Sequence, residues 1–319
     1  AFRFTISAHN AQPFFFQLEG DIVHVWIYYK RLLPIADPHH KDLLMGLGCL
    51  VESIQIMCSE IGLRPVPVGE PNVNKLTEPW HLILTLQLEK QVPVKTEMAG
   101  LLEKRFSYRG LFEEVSLSPM DTEKIGRDAI LNFINSPEDL KEISRTFDKV
   151  NLRFMVKRGY MKELYSWMRF SRKHPKWNTD GLNAEAMSLK SYEAFFGRLM
   201  MQPKWFHTLY RLGIAGIVVS EADKIKTSSG LAVIHAKTNN YYEQGRIFLR
   251  AWLLLTKRNL YGAPLSLLTD SEDGIKAINN LVDPEGHSYL VNVLRVGPLP
   301  VGYRRYQPAR LSDFRKKAL

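Results

Sequence analysis

Cysteine is nearly absent from this chain: Cys49 and Cys58 are its only two in 319 residues. With no CxxC pair and no Cys/His cluster, a disulfide framework and a structural metal are excluded. The two thiols stand nine residues apart in one expected helix. At about 100° per residue they fall on roughly opposite faces and cannot bridge each other. Free thiols of this kind fit a reducing cytoplasm. Long apolar runs are also lacking: Leu212 to Val219 and Ala251 to Leu255 are core-sized, so no membrane span is expected and the chain reads as soluble. Acidic residues are the third shortage, 33 against 43 lysines and arginines, for a formal charge of +10.

Most of that excess lies in one place. Between Lys149 and Lys176 stand nine Lys/Arg against the single acid Glu163, interleaved with Phe154, Tyr160, Tyr165, Trp167 and Phe170. Such a segment can meet nucleic acid, an anionic membrane surface or the phosphates of NADPH. A solvated helix face explains it too, since Met161, Leu164, Tyr165 and Met168 form an apolar stripe that would dock on a core. No nucleic-acid recognition module is present, so no nucleic-acid partner is expected.

With 45% hydrophobic and 24% charged residues the composition is that of an ordinary globular protein, and the length implies about two domains. Phe14 to Leu18 and Ile22 to Tyr29 are β-rich runs joined by the hairpin signal Glu19-Gly20-Asp21. Asp37 and Pro38 are placed to begin a helix whose Leu43, Leu47, Leu50, Val51, Ile54, Met57 and Cys58 repeat at helical spacing, with Gly62 as its stop. Leu82 to Leu88 reads as a strand and Gln91 to Thr96 as a polar linker. Beyond it, Ser136-Pro137 with Asp139 starts a second helix. Strands are expected at Ile214 to Val219, Leu231 to Ala236 and Tyr289 to Val296, and a long helix over Tyr241 to Arg258 ends at Asn259, a residue suited to a left-handed turn. The whole implies an α+β fold with a mainly antiparallel sheet flanked by helices.

Two motifs carry the chemistry. Ser7-Ala8-His9-Asn10-Ala11-Gln12-Pro13-Phe14 puts short polar side chains on a loop that proline then stiffens into a strand. Such a loop can hydrogen-bond the edge of a flat heterocycle; a plain Asn/Ser turn feeding an edge strand accounts for the same residues. In Arg105-Phe106-Ser107-Tyr108-Arg109 the polar residues alternate. An extended backbone turns Arg105, Ser107 and Arg109 to one side, two guanidinium forks and a hydroxyl suited to a terminal phosphate, or a solvated basic face.

The pair resembles the nitroreductase superfamily of flavin enzymes, in which an Arg-x-Ser-x-Arg segment holds the flavin phosphate and a Ser-x-x-Asn-x-Gln-Pro loop covers the ring. Here the loop precedes the arginine segment. That order is similar to the tandem branch, the dormancy-associated nitroreductase-like proteins, in which one chain mimics the dimer. The resemblance continues through Leu33-Pro34-Ile35-Ala36-Asp37-Pro38, Glu163-Leu164-x-x-Trp167-x-Arg169 with Asp180-Gly181-Leu182, Gly245-Arg246 to Pro264-Leu265-Ser266, Leu294-Arg295-Val296-Gly297 and Arg310-Leu311.

It implies two tandem half-repeats, 1–97 and 98–319, acting as a pseudo-dimer in a monomer, with a homodimer also open. It implies FMN as cofactor, held at the phosphate by Arg105, Ser107, Arg109 and Arg310, with Arg304 and Arg305 as weaker candidates. Ser7, Asn10 and Gln12 would meet the flavin from the first half. The turn at Ala263, Pro264, Leu265 and Ser266 would bring backbone toward its N5 edge, although Leu267 and Leu268 stand where that branch often has Gln-Pro. His9 could donate a proton at the ring or be an ordinary loop histidine. The chain also opens inside the family pattern, which implies a helix upstream of Ala1.

Since the cofactor brings its own redox centre, no catalytic side chain and no metal ligand is named. The expected partners are NAD(P)H and a small planar acceptor such as a nitroaromatic or quinone. Three function classes remain: an FMN-dependent oxidoreductase, a flavin-sequestering protein with a closed lid, and a basic surface binder without flavin.

Overall fold

Two antiparallel sheets, each lying against one long helix, form the computed structural model, which describes residues 1–74, 76, 78–113, 123–306 and 309–316. In the first half, β1 (Phe14–Glu19) and β2 (Ile22–Tyr28) make the expected hairpin, with Gly20 at φ +60° in its turn. Then follow α1 (Lys41–Glu60), β3 (Leu63–Val68) and β4 (Trp80–Lys90). The second half runs through α2 (Met98–Lys104), β5 (Glu123–Lys124), β6 (Ala129–Ile134), α3 (Pro137–Val156), α4 (Tyr160–Ser166), β7 (Met168–Arg169) and β8 (Leu182–Asn183). It continues with α5 (Ser191–Met200), α6 (Pro203–Arg211), α7 (Ala215–Val219), α8 (Ala222–Lys226), β9 (Gly230–Ala236), α9 (Tyr241–Lys257), β10 (Tyr261–Pro264), α10 (Glu272–Val282) and β11 (Tyr289–Gly297).

The sheet orders repeat. The first sheet is β1-β2-β4-β3 and the second, read from the matching edge, is β6-β9-β11-β10, with β5 added outside β6. In each, the long helix follows the second strand. In place of the one expected sheet there are thus two that share a strand order. The first joins its opening strands by a tight turn, whereas residues 135–229 intervene between β6 and β9. The C-terminal tail returns to the first sheet, where Phe16 N–H donates to Phe314 O and Lys316 N–H to Phe16 O, both at 2.8 Å.

The halves meet where α1 crosses α9. Glycine is required there on both sides: a Cβ at Gly48 would overlap the Tyr242 carbonyl, and one at Gly245 would overlap that of Met45. Close approach is sealed by Cys49 Sγ on Gly245 O at 3.1 Å and by the buried Glu52 carboxylate, which takes Arg246 Nε at 3.0 Å and Arg250 Nε at 2.6 Å. Leu47, Leu50 and Ile54 of α1 pack with Val25 and Ile27 of β2 in the first core. β9 is buried along its length, Ala232, Ile234 and Ala236 facing α9 and Leu231 and Val233 facing α3 and α10. Its strict alternation with both faces covered is what a central strand requires.

Two expectations are corrected. The first long helix begins at Lys41, not Asp37: His40 is its left-handed cap at φ 58°, and the Asp37 carboxylate reaches forward to accept from the Leu43 N–H at 2.9 Å. It still satisfies an orphan donor of the first turn, from outside the helix. The strand expected at Ile214 to Val219 is the helix α7. A short β-branched run suits either state, and here it packs as a helix against α3 and α6. α1 is also long and apolar enough to cross a bilayer by composition, yet it is mostly buried in the fold.

Candidate functional site

The two motifs, almost a hundred residues apart in sequence, close on one another. The loop from Ser7 to Gln12 is strained, because His9, Asn10 and Gln12 all adopt positive φ, at 50°, 54° and 53°. Non-glycine residues in that region each cost about 1 kcal/mol or more, and such strain persists only where surroundings over-determine it. Here they do. Ser7 Oγ accepts from Gln12 N–H at 3.0 Å across the loop. Asn10 Nδ2 donates to Gly181 O at 3.1 Å and Ala309 O at 2.9 Å, while its Oδ1 accepts from Arg310 at 2.6 Å. Gln12 Nε2 donates to Thr179 O at 2.9 Å and its Oε1 accepts from Leu311 N–H at 3.0 Å.

The loop is thus held between residues 179–181 and the tail. The clamp has its own anchor: Asp180, 1% exposed, pairs with Arg169 at 2.7 Å and Arg31 at 3.2 Å, and Arg31 also donates to Ala11 O at 2.7 Å. Burial, partly offset by Asp180, pulls the Arg31 pKa down. Gly181, at φ +74° with Trp167 O where a Cβ would lie, is the one residue that permits this approach.

Opposite the loop, the alternation read from the sequence holds. Phe106 and Tyr108 turn into a buried aromatic cluster with Phe112, Tyr261, Tyr303 and Tyr306. Ser107 forms an isolated bridge to Gly262, and Tyr108 N–H donates to Gly262 O at 3.1 Å, which brings β10 and hence Ala263, Pro264, Leu265 and Ser266 alongside. Leu265 is buried in the second core. Ser266 is half-buried, its carbonyl taken by Thr269.

Arg105 is 6% exposed, lies 4.9 Å over the Trp252 ring and donates to Phe4 O at 2.7 Å, yet its Nε is buried without a partner. Its pKa falls to about 10, first from burial and next from the positive charge of Arg310. Arg310 itself is lowered by burial; it donates from Nε to Arg3 O at 2.7 Å. Arg305 covers Phe106 at 4.8 Å and donates to Glu103 O at 2.6 Å. Arg109 donates to Ala186 O at 3.3 Å and is felt at two sites: by His9, whose pKa is driven to about 4 by burial and then by this guanidinium, and by the buried Arg295.

Among the described residues, none of Arg3, Arg105, Arg109, Arg295, Arg305 and Arg310 has a carboxylate within 4.0 Å. The nearby Cys49 thiol offers no countercharge, since burial pushes its pKa up to about 12. Cations gathered against backbone carbonyls, one of them buried with an open N–H, form a site in want of an anion.

Solved structures of similar outline include an FMN and NADPH-dependent nitroreductase, NfnB, from Sphigopyxis sp. strain HMH, at 14% identity and a TM-score of 0.34 over 64% of this chain and 89% of that one. Another is a nitroreductase-like family protein from Bacillus cereus, at 14% identity and a TM-score of 0.27 over 67% and 92%. No family model and no curated protein matches the chain. At those TM-scores the likeness decides nothing about chemistry, which rests on the side chains above.

The structure therefore brings Ser7, His9, Asn10, Gln12, Arg105, Arg109 and Arg310 into one neighbourhood and sets Ser107 and the 263–266 turn beside it. Sequence reading had not singled out Arg3, Arg31, Thr179 or the cap on Phe4 O. Asp180-Gly181 entered only as part of the family resemblance. A shallow depression lined by Gly20, Asp21, Leu63 and residues 87–90 lies at the far end of β1 from the loop and contains none of these residues.

Proposed function

We propose that this protein is an FMN-dependent oxidoreductase of nitroreductase type. Arg105, Arg109 and Arg310 would hold the phosphate, with Ser107 as hydroxyl donor and Arg305 at the rim. The observation that carries this reading is Arg105: a buried guanidinium with no acidic partner and an unused Nε–H, fitted to an anionic group that the protein does not itself supply. Arg310 links that end to the loop through Asn10, and His9 stands beside Arg109, so phosphate cradle and ring-side loop are one construction.

Bound there, the flavin would take hydride from NAD(P)H and pass electrons to a planar acceptor such as a nitroaromatic or quinone. The protein's part is position and charge. The guanidinium set orients the phosphate end. His9, held neutral near physiological pH, can offer an N–H without adding a cation. The turn at Pro264 to Ser266 presents backbone beside the Arg-x-Ser-x-Arg segment, and the 179–181 clamp fixes the loop through Asn10 and Gln12.

A second reading, a flavin-sequestering protein with little turnover, is favoured by the same clamp, because the Asn10 and Gln12 amides are already satisfied by protein partners. The visible spectrum of purified, FMN-loaded protein separates the two. Anaerobic NADPH should bleach the flavin band and a nitroaromatic should restore it. Bleaching by dithionite but by neither nicotinamide would establish the sequestering role. A colourless protein whose thermal midpoint FMN does not raise would refute both.

A further inference from the structure

Residues 135–229, the stretch with no counterpart between β1 and β2, expose an unusual face. On α5, Tyr192, Phe195 and Phe196 share one side at i, i+3 and i+4 and are 58%, 59% and 55% exposed. α6 presents Trp205, 55% exposed, and is followed by Leu212; α7 and its cap add Ile214, Ile217 at 80% and Val218. The three helices adjoin, α5 on α6 and α6 on α7, so these exposed side chains stand on neighbouring elements of one layer. Its underside is firmly built: Phe206 and Ala215 are buried against Met161 and Leu164 of α4. Exposure of the outer side chains is thus a property of a folded layer. Contiguous apolar faces of this kind mark a binding surface.

Charge identifies the occupant. From Lys149 to Val218 the chain carries thirteen lysines and arginines against four acids, nearly its whole net charge. Lys204, His207 and Arg211 run as an exposed stripe along α6 beside Trp205, and Lys157, Arg158, Lys162, Lys173 and Lys176 are exposed on the adjoining segment. Among the described residues, Arg198, Lys204 and Arg211 have no acidic partner within 4.0 Å. Aromatic and aliphatic tips on helices that also carry the acid-free Arg198, Lys204 and Arg211 match the boundary of an anionic bilayer, where rings enter the headgroup layer and long basic side chains reach its phosphates. A second copy of the chain would oppose like charges around the same patch, which disfavours self-association there.

We propose that α5, α6 and α7 form a peripheral docking face for anionic lipid surfaces. The face does not depend on the flavin reading, and its test does not use activity. The full chain should sediment with vesicles of phosphatidylglycerol and phosphatidylcholine, fail to do so with phosphatidylcholine alone, and dissociate as salt is raised. The triple variant Phe195→Ser, Trp205→Ser, Ile217→Ser should keep its thermal midpoint, because the three side chains are exposed, yet bind at least about tenfold more weakly. Lys204→Glu with Arg211→Glu should remove the preference for anionic lipid. Brominated lipid should quench part of the tryptophan emission, and Trp205→Phe should abolish that quenching. Unchanged binding by the triple variant, or no binding of the wild-type chain to anionic vesicles, would overturn the proposal. So would a dimer in sedimentation velocity that the same triple variant dissolves.

Discussion

The two halves solve one folding problem with different means. In the first, β1 and β2 are joined by Gly20 and Asp21, and their sheet is backed by α1 on one face, so that of β2 only Val25 and Ile27 are fully withdrawn from water. In the second, residues 135–229 take the place of that turn, and their α3, together with the later α10, lays a second helical layer over the sheet. β9 is accordingly buried throughout, α9 on one side and α3 with α10 on the other. The difference shows where extra surface sits in a fold whose two sheets share one strand order. The shared strand order fixes the crossing of α1 and α9, while the long connection contributes the clamp at 179–181 and the exposed aromatic helices.

Breaking the shared part should have the largest effect. Gly245→Val drives a side chain into the Met45 backbone and should lower stability by about 3 kcal/mol or more, measured by chemical denaturation. Gly20→Ala, at φ +60° with open space around it, should cost only about 1 kcal/mol. Equal effects would mean that the helix crossing does not join the halves.

Next in size is the arginine cluster, which belongs to the junction and not to either half alone. Arg105→Met removes a buried cation that lacks an acid, so the free protein should hold or gain about 1 kcal/mol while losing the rise in thermal midpoint that FMN gives the wild type. A protein that instead loses several kcal/mol in the absence of ligand would show that Arg105 serves the fold and not an anion.

The remaining effects are pH-dependent and opposite in sign. His9 has its pKa lowered from 6.5 to about 4, so the unfolded chain takes up a proton that the folded one refuses, and stability falls as pH drops from about 6.5 toward 4. His9→Gln should flatten that limb of the thermal profile. Asp42 has its pKa raised to about 7 by burial and then by Asp270 and Asp37. The folded chain keeps a proton there that the unfolded chain releases, so this group's contribution is lost as pH rises from about 4 through 7. Asp42→Asn should therefore raise the thermal midpoint at pH 8 and change little at pH 4.

Much of this was legible in the sequence because period and special residues coincide. The hairpin at Gly20, the apolar stripe of α1, and α9 with Asn259 at φ 57° are local signals that tertiary structure had no reason to override. The alternation in Arg105 to Arg109 was legible for the same reason. Ile214 to Val219 misled because a short apolar run has no period of its own. What the sequence did not reveal is how the loop is held: Asn10 and Gln12 hydrogen-bond Gly181, Ala309, Thr179 and Leu311, partners 167 to 299 residues away that no local pattern encodes. The strain at His9, Asn10 and Gln12 is likewise visible only once those partners are in place.

The most direct measurement is a paired fluorescence titration with FMN and with riboflavin, which share the ring and differ by the phosphate. A site defined by acid-free guanidinium groups should bind FMN about a hundredfold more tightly or better, and Arg105→Ala with Arg109→Ala should reduce FMN to the level of riboflavin. Equal affinities for the two ligands, or FMN binding undiminished in the double variant, would contradict the account.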